Sequence, residues 1–330
     1  MIPTVTDQLW YTDESDFPAD GTTEEQVRFL LRYAALAPST HNSQPWEFSA
    51  NGSKARIRPV EARWLRSTDP DKRELYLSIG CALANFLAAA RHFGIETDWT
   101  TEHNDGSVEV VVTCTPGAPK SEDHSLAPLV QRRTFHKPFA PLPLDDTHKQ
   151  RLRESLGDDA IHLFFLEGAT GPKKEFGKIA AQADKKQFAR EEYRAELADW
   201  LGAGVFGDGA IRRKIGSWVV KHRNIGDKQA RQDQDLVSNA PAIAILATEE
   251  SNPEAQIRCG RAYENMALEG IQVGIGTHAI STPLESEEHA GAVQELLPSQ
   301  SMTAQHVFRL GYPTEQEDHT PRFPLDEVLR

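Results

Sequence analysis

Cysteine is scarce and scattered in this chain. Cys81, Cys114 and Cys259 are the only three in 330 residues. No two of them stand at a metal or dithiol spacing, which leaves three small buried apolar side chains as the expectation. The twelve histidines include no pair four residues apart, so no metal site is expected. No apolar run approaches the ~20 residues that cross a bilayer. Met1 to Phe17 carries acids and no apolar export core, so a cytoplasmic protein is expected. Positive charge is also short. Lys and Arg number 36 against 49 Asp and Glu, a net charge of -13. A field of that sign makes nucleic acid and anionic membrane poor partners, and any bound phosphate must be gripped by a local cationic cluster.

The 39% of apolar residues is enough for a buried core. Thr22 and Glu25 form a capping-box pattern, followed by apolar residues at helical spacing from Val27 to Ala35 and a stop at Pro38. Trp46–Phe48 and Ala55–Val60 read as strands around an Asn51-Gly52 turn. Glu74 to Phe93 is helical and apolar nearly all round, so it belongs in the middle of something. Val108–Cys114 is a strand, and residues 120 to 143 are irregular and proline-rich. Asp145–Leu156 is a helix and Ile161–Leu166 a strand. Residues 172 to 235 are helical and charged. Ala242–Thr248 is a strand of the fully buried kind, Glu254–Val273 a second long helix, and His306–Gly311 a strand.

The two long helices overlay with a shift of 180 residues. Gly80, Ala82, Asn85, Gly94, Ile95 and Thr97 then fall on Gly260, Ala262, Asn265, Gly274, Ile275 and Thr277. Gly94 and Gly274 stand where a glycine closes a helix. The frame points to a duplicated α+β unit whose copies pack as a pseudo-dimer, with the same patch of each copy buried at a twofold interface.

Three segments carry chemistry. Pro38-Ser39-Thr40-His41-Asn42-Ser43-Gln44-Pro45-Trp46 places polar side chains and backbone amides between two prolines. By itself it reads equally as a capped turn or as a loop that hydrogen-bonds a flat heterocycle or a phosphate. Arg132-Arg133-Thr134-Phe135-His136-Lys137 offers guanidinium forks suited to phosphate oxygens, or a solvated basic turn. Pro321-Arg322-Phe323-Pro324 places a late arginine between two prolines. Gly202-Ala203-Gly204-Val205-Phe206-Gly207 has dinucleotide-motif spacing but follows a helical stretch, so no Rossmann unit is expected. Arg212, Arg213, Lys214, Lys221 and Arg223 form a basic helical stretch, read as a solvated face.

The first segment resembles the Pro-Ser-x-x-Asn-x-Gln-Pro-Trp signature of the FMN-dependent nitroreductases, the second their Arg-Arg-Ser-x-Arg motif, and the third their late arginine before proline. With the long helical stretch, the resemblance extends to the Acg-type branch of dormancy-linked mycobacterial proteins. It implies an α+β, nitroreductase-like fold, internally duplicated so that one chain mimics the nitroreductase dimer. Residues 1–120 would form the first half and 121–330 the second, with a helical insert or lid at about 172–235. It also implies FMN as cofactor, with Pro38, Ser39, Thr40, Asn42, Arg73, Arg132, Arg133, Thr134, His136 and Arg322 around it. Trp46 would pack in the core. The second motif departs from the family at His136, where an arginine or lysine is usual. The first half opens with Asp13, Glu14 and Asp16 instead of arginines, and the second lacks the Asn loop, so one FMN per chain is expected.

What the resemblance implies about activity is hydride transfer by alternating (ping-pong) turnover. NADH or NADPH would be the co-substrate and a nitroaromatic or quinone-like small molecule the acceptor. The flavin carries the chemistry, so no catalytic side chain is assigned. The alternative it leaves open is an FMN-binding or FMN-sequestering protein with a covered flavin and little turnover; a flavin-free interaction protein is the third. A fused pair points to a monomer.

Overall fold

A computed structural model describes residues 2–117, 125–207 and 209–330. α1 (Thr23–Ala34) begins as its sequence requires, with Thr22 and Glu25 exchanging both bonds of a capping box. A loop leads into the hairpin of β1 (Trp46–Asn51) and β2 (Lys54–Pro59), turned at Gly52 with φ 57°. Then follow α2 (Arg73–His92), β3 (Ile95–Asn104) and β4 (Ser107–Pro116). The four strands form an antiparallel sheet in the order β1-β2-β4-β3.

The boundary expected at residue 120 lies outside the described residues. Beyond it come two shorter helices, α3 (Ala127–Gln131) and α4 (Asp146–Glu154), then β5 (His162–Glu167). Four helices precede the next strand: α5 (Pro172–Ala189), α6 (Glu191–Ala203), α7 (Ala210–His222) and α8 (Gly226–Asn239). β6 (Ala242–Thr248), α9 (Pro253–Gln272), β7 (Gly276–Ala279), α10 (Glu287–Gln294) and β8 (Thr303–Gly311) complete the unit. The second sheet runs β5-β6-β8-β7, also antiparallel and in the same strand order as the first.

The duplication is explicit in the long helices. α2 and α9 start and end 180 residues apart, and the glycines that close them, Gly94 and Gly274, have φ of 70° and 75°. The helices pack directly on each other, and the contact is reciprocal. A Cβ on Gly80 would lie 2.0 Å from Ile257 O; a Cβ on Gly260 would lie 2.0 Å from Leu77 O. Residue 257 is the 180-shifted equivalent of residue 77, and 260 of 80. Residue i of one copy meets j of the other and j meets i, the signature of a twofold interface. The fold is thus an internally duplicated α+β structure in which one chain presents both halves of a pseudo-dimer. Leu75, Ile79, Leu83 and Phe86 of α2 join Ile257, Cys259 and Met266 of α9 in one core.

β6 explains its own sequence. Ala242, Ala244 and Leu246 face that core, while Ile243, Ile245 and Ala247 face a second one built with Phe176 and Ile179 of α5 and Val237 of α8. A strand buried on both faces needs a continuous apolar run. β3 and β7 carry no such signal. β3 is an edge strand with most of its residues in water, and β7 has four residues, so both pass for the turns that end the long helices. All three cysteines are buried and free, and no helix among the described residues is long and apolar enough to cross a membrane.

Candidate functional site

The three segments singled out in the sequence meet at one backbone carbonyl. Leu36 O, just before the Pro38–Asn42 loop, accepts from Arg132 Nη2 at 3.2 Å and from Arg322 Nη2 at 2.8 Å. Arg322 Nη1 also donates to Thr320 O, to Thr320 Oγ1 and, at 3.2 Å, to Asn42 Oδ1. Asn42 Nδ2 donates to Pro321 O at 2.7 Å, and Phe323 N donates to Gln44 Oε1. The chain ends pair as well, with Thr6 and Arg322 exchanging backbone bonds and Trp10 lying under the Arg322 guanidinium.

The loop is held in costly geometry. His41, Asn42 and Gln44 all have φ near +50°, where only glycine sits without strain. Left-handed non-glycine residues cost of order 1–3 kcal/mol each and persist where their surroundings over-determine them. The bonds to residues 321–323 supply that determination, as does Gln44 N donating to Ser39 Oγ. Pro38 and Ser39 stay half-buried at the loop's mouth, and Trp46 is fully buried in the core.

Charge is unbalanced here. Arg132 and Arg322 are both buried, Arg133 is half-buried beside them, and the buried carboxylate facing them is Glu264, 3.0 Å from Arg132 Nε. Burial and then the Arg132 charge push Arg322 down to about 9. The same two causes lower Arg133, while burial and the Arg133 charge take His319 down to about 4. Burial holds Glu264 above the usual carboxylate range despite Arg132. Nε of Arg322 and Nε of Arg133 are buried without an acceptor. Crowded guanidiniums with free donors are what a dianionic phosphate relieves. Thr134 runs beside β7 in a bridge to Thr277, and His136 meets His278 edge-on, 4.6 Å between ring centres.

Arg73 belongs to a second buried cluster. Its Nη1 donates to Glu74 Oε1 at 2.6 Å and to Gln305 O, while Thr40 Oγ1 donates to Glu74 Oε2 at 2.7 Å. Burial works against the Glu74 charge, but Arg73, His306 and the Thr40 and Ser281 hydroxyls together outweigh it and the carboxyl stays below its usual range. Thus Thr40 and Arg73 are joined through Glu74, whereas Arg132, Arg322 and Asn42 form the other group. His306 lies 4.0 Å from Glu74 with neither ring nitrogen partnered.

Helices α5 and α6 and the turn after α6 reach these groups. Asn42 Nδ2 donates to Val205 O at 2.6 Å, and the Tyr193 and Phe206 rings approach His41. Glu196 accepts from Ser67 N and Thr68 N, and Gln187 bonds Glu285. The Gly202–Gly207 stretch ends α6 and turns through Gly204 and Gly207, with no strand before it. Neither Glu264 nor these covering contacts were singled out in the sequence. Glu264 did carry a signal, since the 180-residue frame sets it against Ala84, a charge where the copy has a methyl group.

Asp184 of α5 and Asp233 of α8 face each other across the helix seam. Burial and then the Asp233 charge raise Asp184 to about 8, from an ordinary 3.8, and burial raises Asp233 too. An acid raised on folding gives stability that is complete at low pH and lost as pH rises through the folded value. The expected outcome is stability that declines from about pH 4 to about pH 8. Asp184→Asn should flatten that decline in thermal melts at several pH values; an unchanged slope would show that the pair does not set it.

No protein-family model matches the chain. Acg of Mycobacterium tuberculosis, assigned by name to the NAD(P)H nitroreductases, is 25% identical over 94% of this chain and 97% of its own length. Rv3131 of the same organism, named likewise, is 28% identical over 92% of this chain and 90% of its own. Among solved structures, the FMN-dependent nitroreductase NfnB of Mycobacterium smegmatis, in complex with NADPH, aligns with 60% of this chain and 93% of its own at 16% identity and a TM-score of 0.40. Over nearly its whole length the chain is thus similar to Acg and Rv3131, proteins that carry the name of NAD(P)H nitroreductases.

Proposed function

We propose that this chain binds one FMN between its two halves and serves as an NAD(P)H-dependent oxidoreductase for a small nitroaromatic or quinone-like acceptor. The division we favour is 1–120 and 121–330, with about 172–235 as a cover. The observation that carries the reading is the convergence of Arg132, Arg322 and Asn42 around Leu36 O, with cationic charge in excess and buried donors free. Arg132, Arg133 and Arg322 would hold the phosphate. Thr134 and His136, on the same segment, would meet the ribityl, and Pro38, Ser39, Thr40 and Asn42 would line the ring. Arg73 would act at the ring's pyrimidine edge, its charge moderated by Glu74. Bound flavin supplies reversible hydride transfer, while the protein supplies orientation, electrostatics and exclusion of water. The relatives' names support the same assignment. A cytoplasmic monomer remains our expectation, the pseudo-dimer having its twofold interface already filled.

A second reading is favoured by one observation. Val205 O accepts from Asn42, and Gln187 of α5 engages Glu285, so the cover closes on Asn42, one of the residues that would line the ring. In that reading the protein holds FMN with little turnover. The test is anaerobic mixing of FMN-loaded protein with NADH and then NADPH, following the oxidised flavin band. Bleaching that a nitroaromatic or quinone reverses supports the reductase. A yellow protein that neither nucleotide bleaches, but which bleaches after proteolytic trimming of the cover, supports the holding role.

A further inference from the structure

α7 is unlike the other surface helices. Ile211, Ile215 and Trp218 are 76%, 60% and 57% exposed, three of the five large apolar side chains most open to water among the described residues. At 100° per residue they form one strip, with His222 continuing it. Lys214 and Lys221 flank the strip on one side and Arg212 on the other, all exposed. From Gly209 to Gly226 the sequence holds no acid. Among the described residues, Arg212, Arg213, Lys214, Lys221 and Arg223 have no carboxylate within ion-pair distance. By contrast α1, α4, α5 and α8 mix both signs. The back of α7 is fixed: Val220 is buried, Ser217 Oγ donates to Ala198 O, and the helix packs chiefly on α6. Its front faces water along the whole helix.

We infer that α7 docks this protein on an anionic lipid surface, with Ile211, Ile215 and Trp218 in the headgroup–acyl boundary and the flanking cations at the phosphates. An apolar strip edged on both sides by long cationic stems suits a planar interface, since the stems extend sideways while their heads reach the phosphates. Tryptophan is favoured at that depth. The overall charge of -13 opposes approach to such a surface. Screening limits that repulsion to about 8 Å at physiological ionic strength, whereas each cation at the surface contributes about 1 kcal/mol. With Arg212, Lys214, Lys221 and Arg223 exposed around the strip, α7 brings its cations within that range.

The test uses the full chain and vesicles of phosphatidylglycerol with phosphatidylcholine, against phosphatidylcholine alone. The expected result is co-sedimentation with the anionic vesicles only, released by high salt, with a blue shift of tryptophan emission. Lys214→Glu with Lys221→Glu should weaken binding by about tenfold or more, as loss of two surface cations requires. Ile215→Ser with Trp218→Ser should do the same while the circular dichroism spectrum stays unchanged. Failure of the wild-type chain to bind anionic vesicles overturns the proposal. So does salt-sensitive self-association, or capture of an acidic amphipathic peptide, that these variants abolish while vesicles stay unbound, for α7 would then be a protein-binding face.

Discussion

Gly80→Ala and Gly260→Ala should each destabilise the fold by about 3 kcal/mol or more, and by similar amounts. A methyl at either position would stand 2.0 Å from a carbonyl oxygen of the opposing helix, and under 3 Å from further backbone atoms. Backbone cannot move aside as a flexible side chain can, so α2 and α9 must separate. Separation opens gaps along a seam lined by Ile79, Leu83, Ile257 and Met266. The double variant should lose much less than the sum, because helices already forced apart accommodate a second methyl more easily. Gly291→Ala is the control, since its added Cβ meets nothing within 4 Å and alanine is the better helix former. Urea unfolding of the four variants decides the matter. Additive losses, or losses below about 1 kcal/mol, would mean that the two helices do not form a tight reciprocal interface.

That interface was legible in the sequence for a physical reason. A helix apolar all round has to be buried, and glycines recurring at 180 residues mark where two backbones touch and where two helices end. The capping box at Thr22 and the continuous run of β6 were readable because each sets local demands that few residues satisfy. β3 was not, since an edge strand in water needs no apolar alternation. In the site, the loop and the arginines stood out by residue type, yet what they touch did not. Arg132 and Arg322 were expected to face a ligand; in the fold they hold Leu36 O, an acceptor whose position only tertiary structure defines. Arg73 announced a cation and not its partner Glu74, because an arginine's net effect depends on the nearest carboxylate. The cover's hold on Asn42 goes through the carbonyl of Val205, and a backbone group leaves no mark on composition.

The largest effect expected on ligand binding comes from the arginine cluster. Arg133→Ala should weaken FMN binding by about tenfold or more, the loss of one charge-assisted hydrogen bond of about 1.5–3 kcal/mol. Its stability should barely change, because Arg133 is half-buried and its guanidinium makes one backbone bond, to Gln131 O. Arg322→Ala should weaken binding at least as much and also cost stability. Its guanidinium is buried and serves Leu36 O, Thr320 and Asn42, and leaving buried acceptors unpartnered costs about 1–3 kcal/mol. Arg322→Lys separates the two roles, since lysine keeps the charge but not the planar fork. Glu264→Gln should act in the opposite direction. It removes the carboxylate that offsets the arginines, so the ligand-free protein should melt lower while FMN, or inorganic phosphate, restores the loss and binds more tightly than in the wild type. Flavin fluorescence titration and thermal melts with and without ligand measure all four variants. If Arg133→Ala and Arg322→Lys retain FMN as the wild type does, and Glu264→Gln gains nothing from phosphate, then this cluster is a structural clamp on the loop and the cofactor's phosphate lies elsewhere.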